Sequence, residues 1–144
     1  MAGRCEAFVI AAALLILAPP CAAEGPAERL ARIEAAFAPT GERVRCISLA
    51  ALDHTRIIDD RHILFRLGVD THYLNVLPRP CRGLSHHDAL RIDSRNGRLC
   101  DVDWVRAIDS GLPLAFGMRG RACGLGAFLR LERRAPAGDA TPQR

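Results

Sequence analysis

The sequence predicts a mainly β protein: a small antiparallel sheet, strongly curved or barrel-like, that follows one N-terminal helix. Three observations lead to this prediction. Apolar residues have a helical spacing only in residues 26–38, and short β-prone runs follow from residue 44 onward. The dipeptide Asn96-Gly97 lies between two such runs, a pattern typical of a tight β-turn. Because short strands expose their edges unless the sheet bends round on itself, we expect a curved sheet.

The first 23 residues have the features of a secretory signal peptide. Their apolar core, residues 8–18, is too short to span a bilayer, which takes about 20 residues. We expect cleavage after Ala23 and a periplasmic or secreted mature protein without a transmembrane segment. Cys21 leaves lipoprotein anchoring as an alternative, which we disfavour because Pro20 stands where lipoprotein processing requires a small residue.

The mature chain is predicted to be a single domain. We divide it into a helix and linker (24–42), a disulfide-stapled β domain (43–131) and a disordered tail (132–144) that is poor in bulky apolar side chains. All 20 basic residues are arginines, a bias that a GC-rich genome explains, and they are scattered along the chain. A net charge of +4 without a dense basic stripe or interleaved aromatics argues against nucleic-acid binding.

The helix is predicted over residues 26–38, where a proline stands at the start and another follows the end. Leu30, Ile33 and Phe37 have the spacing i, i+3 and i+7. One apolar stripe of the helix should therefore pack on the strands that follow it.

The β-prone runs and the turns between them predict about six strands in a meander. Residues 61–67 and 72–77 flank a turn-forming segment and predict the first hairpin. Residues 89–105 repeat the pattern around Asn96-Gly97, where we expect a type I′ turn. Residues 122–131 predict the last strand, and its two glycines indicate a bulge or a close approach of another backbone.

Four cysteines remain after the predicted signal: Cys46, Cys81, Cys100 and Cys123. None of them forms the Cys-x-x-Cys pair that marks zinc ribbons and thioredoxin-like redox sites. An even number of widely spaced cysteines in an exported protein predicts two disulfides, for which three pairings are possible. We favour Cys81 with Cys100, which closes a short loop around the predicted Asn96-Gly97 turn, and consequently Cys46 with Cys123.

Histidines are concentrated in and before the segment VLPRPCRGLSHHDAL, residues 76–90. Adjacent side chains of a strand point to opposite faces, so His86 and His87 do not address one ion without a distortion. His62 and His72 lie on the two arms of the first predicted hairpin. We expect no metal or other cofactor, and keep as an alternative a metal-binding or hydrolytic protein that uses these four histidines and nearby aspartates.

Four polar residues are predicted to have structural roles. Asp59 and Asp60 stand at a turn, where carboxylates commonly accept hydrogen bonds from backbone N–H groups. Asn75 and Asp103 interrupt β-like runs and should each bind the backbone of a neighbouring loop, with a ligand pocket as the alternative role. The sequence contains no nucleophile elbow, no phosphate loop and no identifiable acid–base pair, so we assign no catalytic residue.

Four segments in order, RIIDDRHILFR, YLNVLPRPCRGL, GRLCDVDWV and CGLGAF, resemble a family of small exported Gram-negative bacterial proteins known only as a domain of unknown function. The resemblance covers about residues 43–131. It includes the four cysteines, the Asp59-Asp60 turn, Asn75, Asp103 and the segment 124–128. It implies a shared fold and compartment, and it implies no activity.

The sequence as a whole therefore predicts a non-enzymatic periplasmic β domain. We expect it to act as an accessory or binding module, and its partner is an unknown protein or small ligand.

Overall fold

The computed structural model of the protein describes residues 23–94, 96–110 and 120–135. Residues 1–22 of the predicted signal peptide and residues 136–144 of the predicted tail lie outside these described residues, and residues 132 and 133 of the predicted tail belong to the last strand. Within them, one helix and ten strands follow in order: α1 (Pro26–Ala36), β1 (Phe37–Val44), β2 (Cys46–Ser48), β3 (Leu52–Ile57), β4 (His62–Leu67), β5 (Thr71–Val76), β6 (Ala89–Ile92), β7 (Arg98–Cys100), β8 (Trp104–Ile108), β9 (Ala122–Gly124) and β10 (Phe128–Arg133). A short 3₁₀ turn, Leu84–His86, lies between β5 and β6.

The strands form three antiparallel sheets. The large sheet has the order β1-β10-β5-β4-β3, and the two small sheets have the orders β2-β7 and β6-β8-β9. The predicted mainly β class with antiparallel pairing and an N-terminal helix is confirmed, and the described strands form no closed barrel. The order departs from a meander because β10, the last described strand, lies between β1 and β5.

One face of the large sheet packs on the two small sheets and forms the main core. Phe65 and Phe128 lie on neighbouring parts of this face and contact edge to face, with ring centroids 5.4 Å apart. Ile47 and Leu99 of the β2-β7 sheet and Val105 of β8 are buried in the same cluster. The large sheet therefore holds the small sheets in place through burial of apolar side chains.

Helix α1 covers the opposite face of the large sheet. Ile33 and Phe37 are buried there against Ile58, Leu64 and Leu131. The helix ends two residues before the predicted end, because Phe37 already has an extended conformation and begins β1. The predicted apolar stripe packs as expected, and β1 begins within the last residues of the predicted helix and continues through the predicted linker.

The predicted Asn96-Gly97 hairpin is wrong. The strand before this dipeptide, β6, pairs with β8, and the strand after it, β7, pairs with β2. Gly97 has a positive φ of 68°, whereas no described residue other than glycine has a positive φ, so the turn is not type I′. By contrast, β4 and β5 form the predicted first hairpin over the turn at Gly68.

The predicted last strand is two strands. Residues 122–124 form β9 in a small sheet, and the chain then crosses to the large sheet as β10. At the crossing, a Cβ atom on Gly126 would lie 2.3 Å from the carbonyl oxygen of Val76. Of the two alternatives predicted for these glycines, a bulge or a close backbone approach, Gly126 therefore shows the close approach.

Two disulfides are present, Cys46–Cys100 and Cys81–Cys123. The pairing that we favoured is wrong because it depended on the absent Asn96-Gly97 hairpin. Cys46 and Cys100 are instead direct partners in the β2-β7 pairing, with Cα atoms 4.0 Å apart. Cys81–Cys123 joins the loop after β5 to β9.

Candidate functional site

Trp104, the single tryptophan of the chain, lies on the outer face of strand β8. Residues alternate along this strand: Val105 and Ala107 are buried in the core, and Trp104 and Arg106 point away from it. The Trp104 side chain is 62% exposed, although β8 is the central strand of its sheet. A large aromatic side chain is thus exposed to solvent on a strand that is paired with a neighbouring strand on each side.

Gly124 is the cross-strand partner of Trp104. A Cβ atom built on Gly124 would lie 3.7 Å from the indole atoms Cη2 and Cζ3, which is ordinary van der Waals contact. The indole therefore lies beside the backbone of β9, and the glycine leaves open the space that a side chain would fill. An aromatic residue across from a glycine also shields the backbone of an edge strand, which is a purely structural benefit of the pair.

A groove of about 540 Å³ adjoins Trp104. It lies between the segment 78–81, the turn 101–103 and the segment 121–125. Pro78, Pro80 and Val102 contribute apolar surface, and Val102 is 69% exposed. The volume is within the range of about 300 to 1,000 Å³ that is usual for sites of small ligands.

The charged residues of the groove differ in how far they are already paired. Asp101 forms an ion pair with Arg45 at 3.0 Å, and this hydrogen bond raises the pKa of Arg45. Asp103 accepts a hydrogen bond from the backbone N–H of Cys100 at 2.7 Å. The side chains of Arg79 and Arg121 form no hydrogen bond or ion pair within the described part of the chain. Among the described residues of the groove, these two arginines therefore exceed the one carboxylate without an ion-pair partner, Asp103, by one positive charge.

A sequence model of the family of unknown function DUF6491 matches residues 4–119, which is most of the chain. The chain belongs to this family. The expected membership of an uncharacterised family is thereby confirmed. No curated protein and no solved structure matches the DUF6491 chain. Among the residues that the structure describes, no helix is long and apolar enough to cross a membrane.

Asn75 of this DUF6491 protein lies in the main core rather than in the groove. Its side chain is completely buried. The amide oxygen accepts a hydrogen bond from the Gly126 N–H at 2.9 Å, and the amide nitrogen donates to the Gly126 carbonyl oxygen at 2.5 Å. Asp103, by contrast, lines the groove and also binds the backbone of Cys100.

Asp59 and Asp60 organise the chain on either side of their turn. Asp59 Oδ1 accepts hydrogen bonds from the backbone N–H groups of Arg61 at 2.7 Å and His62 at 2.8 Å. Asp60 accepts from the N–H groups of Ser85 at 2.8 Å and Gly83 at 3.1 Å. The bond from Ser85 is the main reason that the pKa of Asp60 is lowered. The loop that follows β5 is therefore fastened to the β3–β4 turn.

The four candidate metal ligands are dispersed. His62 contacts Asp59, and His72 is buried with its ring centroid 4.6 Å from that of Phe37. His87 Nδ1 lies 3.0 Å from a carboxylate oxygen of Asp109, and His86 is exposed at the end of the 3₁₀ turn. The described residues contain no group of three or more histidine, cysteine or acidic side chains that could hold a metal ion.

Neither Trp104 nor Arg121 was predicted from the sequence to be a functional residue. One local signal was present for the tryptophan, since Val105 and Ala107 alternate with it and predict that it points outward. Arg79 and Arg121 are 42 positions apart and have no local signal. The Cys81–Cys123 disulfide brings their two segments together.

Proposed function

We propose that this DUF6491 protein is an exported, non-enzymatic binding module that takes a small carboxylate-bearing ligand in the groove beside Trp104. The main support for the proposal is the exposed indole of Trp104, which lies in the same groove as two arginines whose side chains have no hydrogen-bond or ion-pair partner among the described residues. Tryptophan combines a large apolar surface with one polar N–H group and is enriched at binding interfaces. An exposed tryptophan on a rigid strand thus favours ligand contact.

The charges of the groove define the ligand class. A guanidinium group presents N–H donors in a planar fork that matches a carboxylate. Asp101 is already paired with Arg45, whereas Asp103 accepts a backbone N–H and keeps its negative charge, so Arg79 and Arg121 leave a surplus of one positive charge for a ligand. A ligand with one carboxylate and one flat apolar face, such as a uronic acid sugar, satisfies both the arginines and the indole.

The walls of the groove are fixed before any ligand binds. Cys81 and Cys123 join two of the walls covalently. The third wall, the turn that contains Asp101, is anchored by Arg45 and by Cys100 in the second disulfide. A site that is rigid in its binding conformation loses less conformational entropy on binding. The two disulfides also support export, because such bonds persist mainly in oxidising compartments.

The proposal is tested through the fluorescence of Trp104, which reports on the groove alone because the chain has no other tryptophan. The probes are glucuronic acid, which has one carboxylate, and the neutral sugar glucose. We expect a saturable change of Trp104 emission with the acidic sugar only. The double variant Arg79→Gln/Arg121→Gln should weaken binding at least about tenfold, which corresponds to 1.4 kcal/mol.

A charge-matched control separates recognition from general electrostatics. Arg82 and Arg98 are exposed and their side chains form no hydrogen bond or ion pair within the described residues. The variant Arg82→Gln/Arg98→Gln loses the same net charge and should bind the acidic sugar like the unmodified protein. Equal emission changes with both sugars, no change with either, or equal weakening in both double variants would each reject the proposed carboxylate site.

A further inference from the structure

The face of the large sheet beneath helix α1 contains a row of cationic and imidazole side chains. Strand register places His54 of β3 directly opposite Arg66 of β4, and Arg66 opposite His72 of β5. These three side chains therefore lie side by side across three strands. Arg56, Arg133 and, from the helix, Arg32 complete the polar lining of a hollow of about 280 Å³, which we call the basic hollow.

The basic hollow has more positive than negative charge. Arg66 is paired with Asp53, and Glu24 is shared between Arg32 at 2.8 Å and Arg56 at 3.9 Å. The guanidinium of Arg133 lies over the ring of Phe37, 5.4 Å from its centroid, without a carboxylate partner in the described residues. Four arginines against two carboxylates leave two positive charges, and clustered like charges oppose folding unless an anion joins them.

A second polar hollow of about 380 Å³ continues from the first and shares His54 and Arg56 with it. Arg29, His87 and the carboxylate of Asp88 also line this second hollow. The Nε atom of Arg29 is buried and has no hydrogen-bond partner within the described part of the chain. A buried donor without a partner is costly, so the second hollow favours a hydrogen-bond acceptor at Arg29.

An apolar groove lies along helix α1 beside the basic hollow. Its volume is about 410 Å³, and it is lined mainly by Pro39, Leu74, Leu129 and Leu131 together with Ile33 and Phe37. Ile33 and Phe37 also line the basic hollow and form the boundary between the two. The helix-side face of the sheet thus presents an apolar groove directly next to a surplus of positive charge.

From this juxtaposition we infer that the helix-side face binds one molecule of an anionic phospholipid. The phosphate group occupies the basic hollow, where Arg133 and the Nη1 group of Arg66, which Asp53 does not contact, bind its oxygens, and an acyl chain occupies the apolar groove. Guanidinium groups bind phosphate through several parallel hydrogen bonds, and removal of an acyl chain from water stabilises the complex. This site uses none of the residues of the Trp104 groove and goes beyond the proposed function.

The test uses the mature chain and lipids with two six-carbon chains, below the concentration at which they form micelles. Titration calorimetry compares dihexanoyl phosphatidylglycerol, dihexanoyl phosphatidylcholine and inorganic phosphate. We expect the anionic lipid to bind at least tenfold more tightly than either the zwitterionic lipid or inorganic phosphate. Tight binding of the anionic lipid should also weaken as salt is added, because salt screens partly exposed charges.

Two variants assign the binding to this face. Arg66→Gln/Arg133→Gln should weaken binding of the anionic lipid at least tenfold, whereas the charge-matched Arg82→Gln/Arg98→Gln should leave it unchanged. Leu129→Ser should weaken lipid binding without changing the weak binding of inorganic phosphate. Thermal melting shows whether each variant is folded, and the comparison of the three ligands on the unmodified chain needs no variant.

Three results overturn the inference. Equal affinity for the two lipids removes the role of the basic hollow, and equal affinity for phosphate and anionic lipid removes the role of the apolar groove. Equal loss of binding in the two double variants shows that only net charge matters.

Discussion

Asn75 and Gly126 are joined by two hydrogen bonds across 51 residues of sequence. The Asn75 amide pairs with both the N–H and the carbonyl group of Gly126, as a neighbouring strand would. Gly126 lies where the chain crosses from β9 of a small sheet to β10 of the large sheet. The pair therefore satisfies the backbone at a point where neither sheet does so.

We predict that Asn75→Ala destabilises the protein by about 2 to 4 kcal/mol, because two hydrogen bonds are lost and both backbone groups of Gly126, which are partly buried, lose their partner. For a domain between about 100 and 150 residues the melting temperature falls by about 4 °C per kcal/mol. Urea unfolding of both proteins measures the change. An unchanged melting temperature combined with loss of a ligand would instead support the pocket role for Asn75.

Gly126→Ala should destabilise by about 1 to 3 kcal/mol, because the added methyl group would lie 2.3 Å from the Val76 carbonyl oxygen and the backbone must shift. Gly124→Ala is the matched control two residues earlier, where the nearest atoms are indole carbons at 3.7 Å. That variant should change stability by less than about 0.5 kcal/mol. Equal effects of the two substitutions in thermal unfolding would contradict the close approach at Gly126.

The disulfide pairing is predicted to be Cys46–Cys100 and Cys81–Cys123 in the purified protein. Arginines lie between all four cysteines in the sequence, so trypsin separates them into different peptides. Mass spectrometry without reduction should detect these two linked pairs, and four free thiols would reject both bridges. Replacing either pair by alanines should cost about 4 kcal/mol by the loop-entropy model.

Acid should weaken the fold partly through Asp60. Its pKa is lowered from 3.8 by the Ser85 N–H above all, so the carboxylate stabilises the native state above pH 3.8, and this stability is lost as the pH falls through the lowered pKa. The difference in unfolding free energy between the unmodified protein and Asp60→Asn should be largest near neutral pH and shrink in acid.

Asp88 serves as the comparison for this acid effect. The pKa of Asp88 is also lowered, chiefly by the hydrogen bond from the hydroxyl group of Ser110. Because Asp88 is still present in Asp60→Asn, acid also destabilises this variant, but less than it destabilises the unmodified protein, which has both carboxylates. Urea unfolding at several pH values between neutral and about 3 measures both effects. A difference between the two proteins that is the same at every pH would show that the Asp60 charge does not contribute.

The candidate sites were poorly predictable because their residues come from distant segments. His54, Arg66 and His72 have no common motif, and only the pairing of β3, β4 and β5 makes them neighbours. Arg79 and Arg121 likewise line the same groove because the Cys81–Cys123 disulfide joins their segments, and the sequence alone did not determine that pairing. Trp104 was the exception, since its outward position follows from alternation along a single strand.

Local patterns in the sequence determined the helix, the β4–β5 hairpin and the number of disulfides. Each of these follows from interactions within about ten residues, or from a simple count of cysteines. Which strands share a sheet was decided only in the tertiary structure. The strands beside Asn96-Gly97 separate into different sheets, and both Leu99 and Val105 are fully buried in one core. Burial of apolar surface is non-directional. The residues of a strand therefore indicate that its apolar face must be buried, but the strand with which it pairs depends on how the whole chain packs.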